Sequence, residues 1–314
     1  MHGHTRKWLA VILAAGMVAS VAGIGGCAPK SATTEKPATN EPKQGGTMSF
    51  YVGEPAYIDP YNTQESEGTQ VEATVFDSLT AFDDLDPSKV VAAAAESWQP
   101  NADATVWTFK LNPNGKFSDG TPVTAKDFVY AWNRMANVNT INTATGKPDP
   151  SVVSYHLGFV KGFDAVSAGK ATEMEGLKAV DDLTLEVTLV QPFADFEYVV
   201  AHPALAPVLQ KYVEGGVPTG SGETTVAFGE MPIGNGPFKL SEPWKHNQSI
   251  KVVRNDNYAT GDKPYVDGID FLIFKDPETA YTEFEAGNLD FTQIGEGKIK
   301  DAETKYGTSE DGYT

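Results

Sequence analysis

Between Thr105 and Met135 the hydrophobic period switches from that of a strand to that of a helix, and few architectures accommodate the change. Trp107, Phe109 and Leu111 alternate with Thr108 and Lys110, as a strand with one buried face requires. Asn112-Pro113-Asn114-Gly115 and Ser118-Asp119-Gly120 then supply turns. Thr124 and Asp127 stand at capping-box spacing, each side chain able to satisfy a free backbone N–H at a helix start. Phe128, Trp132 and Met135 follow at i, i+4 and i+7, one apolar stripe of that helix. A strand that returns through turns into an amphipathic helix implies a mixed α and β protein with sheet and helix on a common core. Trp107, Phe109 and Trp132 are expected in that core.

The same periods locate other elements. A first strand fits Thr47 to Val52, and a Pro-containing loop runs through Glu54-Pro55 and Asp59-Pro60-Tyr61. Residues 67–79 are expected to be helical, with Val71, Val75 and Leu79 on one face. Leu183, Leu185, Val187 and Leu189 alternate as a strand, and Ile250 to Arg254 is the hairpin partner of the strand that follows Gly234-Asn235-Gly236. Ile269, Phe271 and Ile273 alternate again. Pro277 to Ala286 has the Pro-first, Gly-after signature of a short helix, and Leu289 to Ile294 is expected to resume as a strand. The tyrosines Tyr51, Tyr57, Tyr61 and Tyr155 fall in or beside loops.

The N-terminus is an address, not fold. Arg6 and Lys7 precede an apolar run from Trp8 to Ala22, which closes on Ile24-Gly25-Gly26-Cys27, the last being the chain's single cysteine. This resembles a bacterial lipobox, in which the cysteine thiol is acylated and becomes the new N-terminus. An uncleaved membrane anchor and an ordinary signal peptide are the competing readings, and all three place the remainder outside the cytoplasm. Residues 28–44 carry three prolines and no large apolar side chain, the composition of a flexible tether. The formal net charge of the chain is −18, so nucleic acid and anionic lipid surfaces are unfavourable partners. With one cysteine no intramolecular disulfide forms.

Catalytic and metal chemistry find little support. His156, His202 and His246 are far apart in sequence with no metal-ligand spacing, so no metal or other cofactor is expected. No Gly-x-Ser-x-Gly elbow is present. Gly234-Asn235-Gly236 opens onto a strand and not a helix, which removes the amide cradle of a phosphate loop. Acids are plentiful, but none is singled out as a hydrolase pair. A carboxylate-based hydrolase and a structural surface lipoprotein therefore stand only as competing classes.

Several stretches together carry a resemblance. They are Ala95-Glu96-Ser97-Trp98, Val106 to Leu111, Phe117-Ser118-Asp119-Gly120-Thr121-Pro122-Val123-Thr124-Ala125 and Asp127-Phe128-Val129-Tyr130-Ala131-Trp132-Asn133-Arg134. Asp59-Pro60, Gly234-Asn235-Gly236-Pro237-Phe238, Arg254-Asn255 and Ala286-Gly287-Asn288-Leu289-Asp290 support them. The chain resembles the extracellular solute-binding proteins of family 5, typified by oligopeptide-binding proteins of ABC importers. The resemblance implies an α/β, periplasmic-binding-protein type II-like clamp. Residues 45–76 and 204–305 would form domain I, 77–203 domain II and 306–314 the start of a C-terminal lobe, domain III, that is not contained here. Such a chain would hold one side of the cleft and bind ligand weakly by itself. The implied partners are a peptide, or alternatively a nickel chelate, sugar or other solute, together with the permease subunits and, through Cys27, the membrane. In the family a glutamate and its neighbours after Asp-Pro meet the ligand; these positions fall on Gln64, Glu65 and Ser66. Where the family often has Ser-Pro-Tyr reaching the cleft, residues 142–150 differ, and Tyr155 stands in for that tyrosine.

Overall fold

The computed structural model describes residues 43–143, 145–220 and 224–308. The expectations for residues 1–42, including the signal, Cys27 and most of the tether, lie outside the described residues, as do most of residues 306–314.

Two four-stranded sheets organise the described residues. The first joins β1 (Thr47–Val52) to a strand from the far end of the chain. The second comprises β2 (Ala95–Pro100), β3 (Val106–Leu111), β4 (Leu177–Asp181) and β5 (Thr184–Thr188), in the order β2-β3-β5-β4 and antiparallel throughout. The remaining strands of the first sheet are β6 (Phe238–Leu240), β7 (Ser249–Arg254) and β8 (Gly268–Ile273), in the order β1-β8-β7-β6. There β1 and β8 run parallel, with Phe50 opposite Phe271. Two short antiparallel pairs, Thr80–Phe82 with Val90–Ala92 and Val217–Thr219 with Thr224–Val226, stand outside both sheets.

The strand-to-helix block forms as its periods dictate. Trp107 and Phe109 in β3 face Val187 and Leu185 in β5, and all four are buried. Helix α2 (Ala125–Ala136) buries Phe128, Trp132 and Met135 over that sheet, each worth about 1.5–3 kcal/mol of transferred apolar surface. The Trp132 indole N–H still finds an acceptor, the Leu205 carbonyl at 2.9 Å. At the start of α2 the Asp127 carboxylate accepts both the N–H and the hydroxyl of Thr124, at 2.7 and 2.8 Å. The Thr124 side chain faces the Asp127 backbone N–H in turn, so both halves of the capping box form as the spacing predicts. One buried apolar cluster runs from Val52 and Val75 through Trp107 and Trp132 to Ile250 and Phe271, so both sheets share a core.

Two elements differ from expectation. Helix α1 (Ser66–Val75) stops four residues before Leu79. The Gly236 N–H takes the Val75 carbonyl at 2.8 Å, and Phe76 turns to extended backbone. A Cβ on Gly234 would lie 2.1 Å from the same carbonyl, so this motif is glycine because a backbone packs on a helix end. Asn235 completes the joint through paired bonds with the Asp77 backbone, accepting at 3.1 Å and donating at 2.9 Å. The second departure is at residues 289–294, which make only an isolated bridge, Phe50 to Phe291, and no strand. The Asp290 carboxylate takes the Ser49 N–H and hydroxyl at 2.8 and 2.7 Å, beside the backbone bonds of Phe291 with Ser49 and Tyr51. In β8 the alternation is also incomplete, with Phe271 buried and Ile269 and Ile273 half-buried. The helix after Asp276, α3 (Pro277–Glu285), forms as expected, with Asp276 accepting the Thr279 N–H at 2.8 Å.

Candidate functional site

The loop between β1 and α1 is held in place by charges taken out of water. Asp59 and Arg134 are 2 % and 8 % exposed and form a two-toothed pair, with both N–H···O distances 2.7 Å. Arg134 comes from the last turn of α2, so the pair ties the loop leaving the first sheet to the helix over the second. Burial works against the guanidinium charge, and Asp59 more than offsets it. The cation also sits 4.1 Å from the centre of the Tyr61 ring.

A second anchor is Asp149, which accepts from the Tyr57 and Tyr61 hydroxyls at 3.0 and 3.4 Å and from the Asn62 and Asn142 side-chain amides at 3.3 and 2.9 Å. Asn62 in turn accepts the Val152 N–H at 2.8 Å. Loop and segment 142–152 are therefore one polar network. The loop also closes on itself. The Glu65 carboxylate accepts the N–H groups of Ala56 at 2.9 Å and Gln64 at 3.2 Å. Gly68 permits the close approach, since a Cβ there would lie 2.1 Å from the Tyr57 carbonyl.

These bonds determine what each expected site residue presents. Gln64 and Ser66 are exposed at the mouth of α1, while Glu65 is half-buried and its carboxylate is used within the loop. Tyr155 lies elsewhere: its ring rests on His156, which stacks on His202, with centroids 4.3 and 4.2 Å apart. Tyr51 and Tyr61 are core residues, 7 % and 3 % exposed. Burial and the neighbouring His202 push His156 down to about 4, and burial lowers His202 as well. Among the described residues no three His, Cys, Asp or Glu side chains are grouped to hold a metal ion. Nor is any described helix long and apolar enough to cross a membrane.

Two cavities flank the network. The smaller, about 290 Å³, lies against the loop itself and is lined by Tyr57, Ile58, Tyr61, Glu230, Trp244 and His246 among others. The larger, about 900 Å³, runs along the outer face of α2 past Tyr130 and Asn133 to Glu214. Asn142 and Thr143 line both, and Tyr155 lines neither. The arrangement offers a polar, partly aromatic concave surface with room for a small solute.

The model of bacterial extracellular solute-binding proteins, family 5 (middle region), matches residues 89–313. The chain belongs to this family. It is 35 % identical over 244 residues to the periplasmic oligopeptide-binding protein OppA of Salmonella typhimurium, covering 75 % of this chain and 40 % of that one. It is 33 % identical over 275 residues to the dipeptide-binding protein DppE of Bacillus subtilis, covering 86 % and 47 %. The solved structure of the Escherichia coli murein tripeptide-binding protein MppA superposes with a TM-score of 0.71 at 28 % identity, over 84 % of this chain and 49 % of that one. The fold is accordingly the type II periplasmic-binding-protein fold, and the chain spans about half the length of these relatives.

Asp149 and Asn142 were not singled out by sequence, because they lie in the segment where the chain departs from the family pattern and carry no motif. Glu72 gave no signal either. It faces inward from α1 at 1 % exposure, and its Oε1 has no hydrogen-bond partner. Burial pushes its carboxyl well above the ordinary range, a Thr63 hydrogen bond opposes that shift, and Asp59 and Glu65 add to it. A raised folded-state pKa means that the protonated form stabilises the fold fully below the unfolded value near 4.5, and that this contribution is lost as pH rises through the folded value. Glu72→Gln should therefore stabilise the protein at neutral pH by about 1–3 kcal/mol, with the gain vanishing in acid. Urea unfolding across the pH range measures it, and a variant less stable at neutral pH would show that Glu72 is a bound carboxylate.

Proposed function

We propose that this chain is the ligand-capturing part of a lipoprotein that delivers peptides to the permease of an ABC importer. The observation that carries the reading is the preformed loop: Asp59–Arg134 and Asp149 fix it from inside, leaving Gln64 and Ser66 facing outward. Gln64, Glu65 and Ser66 are then the ligand-side residues, the first and last by direct contact and Glu65 by shaping the turn. Tyr155 is proposed as a more distant contact. Rigid polar loops of this kind suit an extended peptide, whose main-chain groups give affinity while wet cavities accept varied side chains. Three relatives whose names denote oligopeptide, dipeptide and murein tripeptide binding support peptide over nickel chelate, sugar or another solute. Residues 45–76 and 204–305 are proposed as domain I and 77–203 as domain II, closing against a domain III as a clamp closes about its hinge.

The intact protein incubated with mixed short peptides, washed and eluted, should release intact peptides identifiable by mass. Recovery of cleavage products, or of no peptide at all, overturns the proposal.

We further propose that the thiol of Cys27 is acylated and anchors the protein to the outer face of the cell membrane. Two or more chains on that residue give stable attachment where one is marginal. Cys27→Ala should leave the protein unprocessed or released into the medium. A variant with wild-type mass that still fractionates with membranes contradicts the anchor.

A further inference from the structure

His246 lies in the turn between β6 and β7, and its two ring nitrogens reach two different carboxylates. Nδ1 is 2.8 Å from Glu54 Oε1, at the root of the candidate ligand loop, and Nε2 is 2.9 Å from Glu230 Oε2. The next residue adds a third tie, the Asn247 N–H donating to Glu54 Oε2 at 2.7 Å. The ring lies against the Trp244 indole with centroids 4.1 Å apart. A neutral imidazole carries one N–H, so it satisfies one carboxylate and turns a lone pair towards the other; only the imidazolium donates to both.

We infer that His246 is a positioning residue for ligand capture: as an imidazolium it clasps Glu54 to Glu230, fixing the root of the 54–66 loop and the adjoining cavity wall, so that capture becomes proton-dependent. The inference rests on the proposed role of that loop. His246, Glu230 and Trp244 line the same cavity as Tyr57, Ile58 and Tyr61, so loosening the clasp changes loop and cavity together.

The charges around the ring favour this reading. Glu54 faces it from the segment after β1, and Glu230 faces it from the short turn Phe228–Glu230. On its own turn the neighbouring Lys245 is paired with Glu242 at 2.6 Å, and Tyr57 lies across the cavity. One cation therefore serves two carboxylates, and losing its proton leaves both without a charge partner. Burial of the ring disfavours the charged form, but the hydrogen bonds to Glu54 and Glu230 outweigh it and raise the pKa above 6.5. The clasp is thus complete below about pH 6.5 and is lost as pH rises through the raised folded value.

Titrating the His246 ring by NMR in the intact protein tests the clasp without any ligand. Its midpoint should lie above that of an ordinary histidine and should fall in Glu54→Gln and again in Glu230→Gln. A midpoint at or below the ordinary value, or one that neither variant moves, overturns the clasp. The second arm measures affinity for peptides recovered from a mixed pool, between about pH 5.5 and about pH 9. Wild-type affinity should fall several-fold over that range, whereas His246→Gln should bind at the weaker, alkaline level throughout. Equal affinity across the range in the wild type overturns the positioning role while leaving the peptide reading intact. If no peptide is retained at any pH, the peptide reading fails and the capture role fails with it, and the ring titration still decides the clasp.

Discussion

The ion pair between Asp59 and Arg134 is the constraint on which the rest of the site depends. It joins the first loop of one sheet to the last turn of the helix over the other, and neither side chain reaches appreciable solvent. Bringing two such charges out of water is unfavourable, and the two-toothed geometry with its aromatic neighbour offsets that. Removing one partner would strand a buried charge, at about 3–5 kcal/mol; replacing both with apolar groups is often nearly neutral. The pair is therefore better understood as fixing where the loop sits than as adding stability. Asp149 extends this role outward, gathering two tyrosines and two asparagines so that the segment after α2 is tied to the loop after β1.

Acidity is a recurring theme around this joint, and burial divides its members. Asp59 is paired with a guanidinium in two-toothed geometry. Glu72, buried without a cation beside it, has its carboxyl pushed well above the ordinary range by desolvation. Glu54 and Glu230, near the surface, share the His246 ring. The overall charge of −18 thus describes the surface poorly as a single number, since adjacent carboxylates answer to different surroundings.

Much of the scaffold was legible from the sequence because local period and tertiary burial agree there. Trp107, Phe109, Phe128 and Trp132 alternate or recur as their elements demand and are buried accordingly. Expectation failed where a distant segment intervened. Val75 ends α1 because Gly236, remote in sequence, takes its carbonyl, and residues 289–294 meet β1 only around Phe50, where the Asp290 side chain adds to the few backbone bonds. The site was less legible still. Gln64, Glu65 and Ser66 came from family resemblance alone, and the Glu65 carboxylate proves to be committed to its own loop. Asp149, Asn142 and Glu72 acquire meaning only from neighbours brought together by folding, which no spacing announces.

The central claim is that Asp59 and Arg134 position the loop, and native-state hydrogen exchange tests it most directly. In the wild type the N–H groups of Ala56 and Gln64 are held by Glu65, and that of Asn62 by the Asp59 carbonyl. In the double variant Asp59→Leu/Arg134→Met, core amides such as that of Phe109 should keep their protection, while those of Ala56, Asn62 and Gln64 should exchange much faster through local opening. Unchanged protection at those three amides, with the core equally intact, would show that the loop holds its place without the pair and would contradict the account.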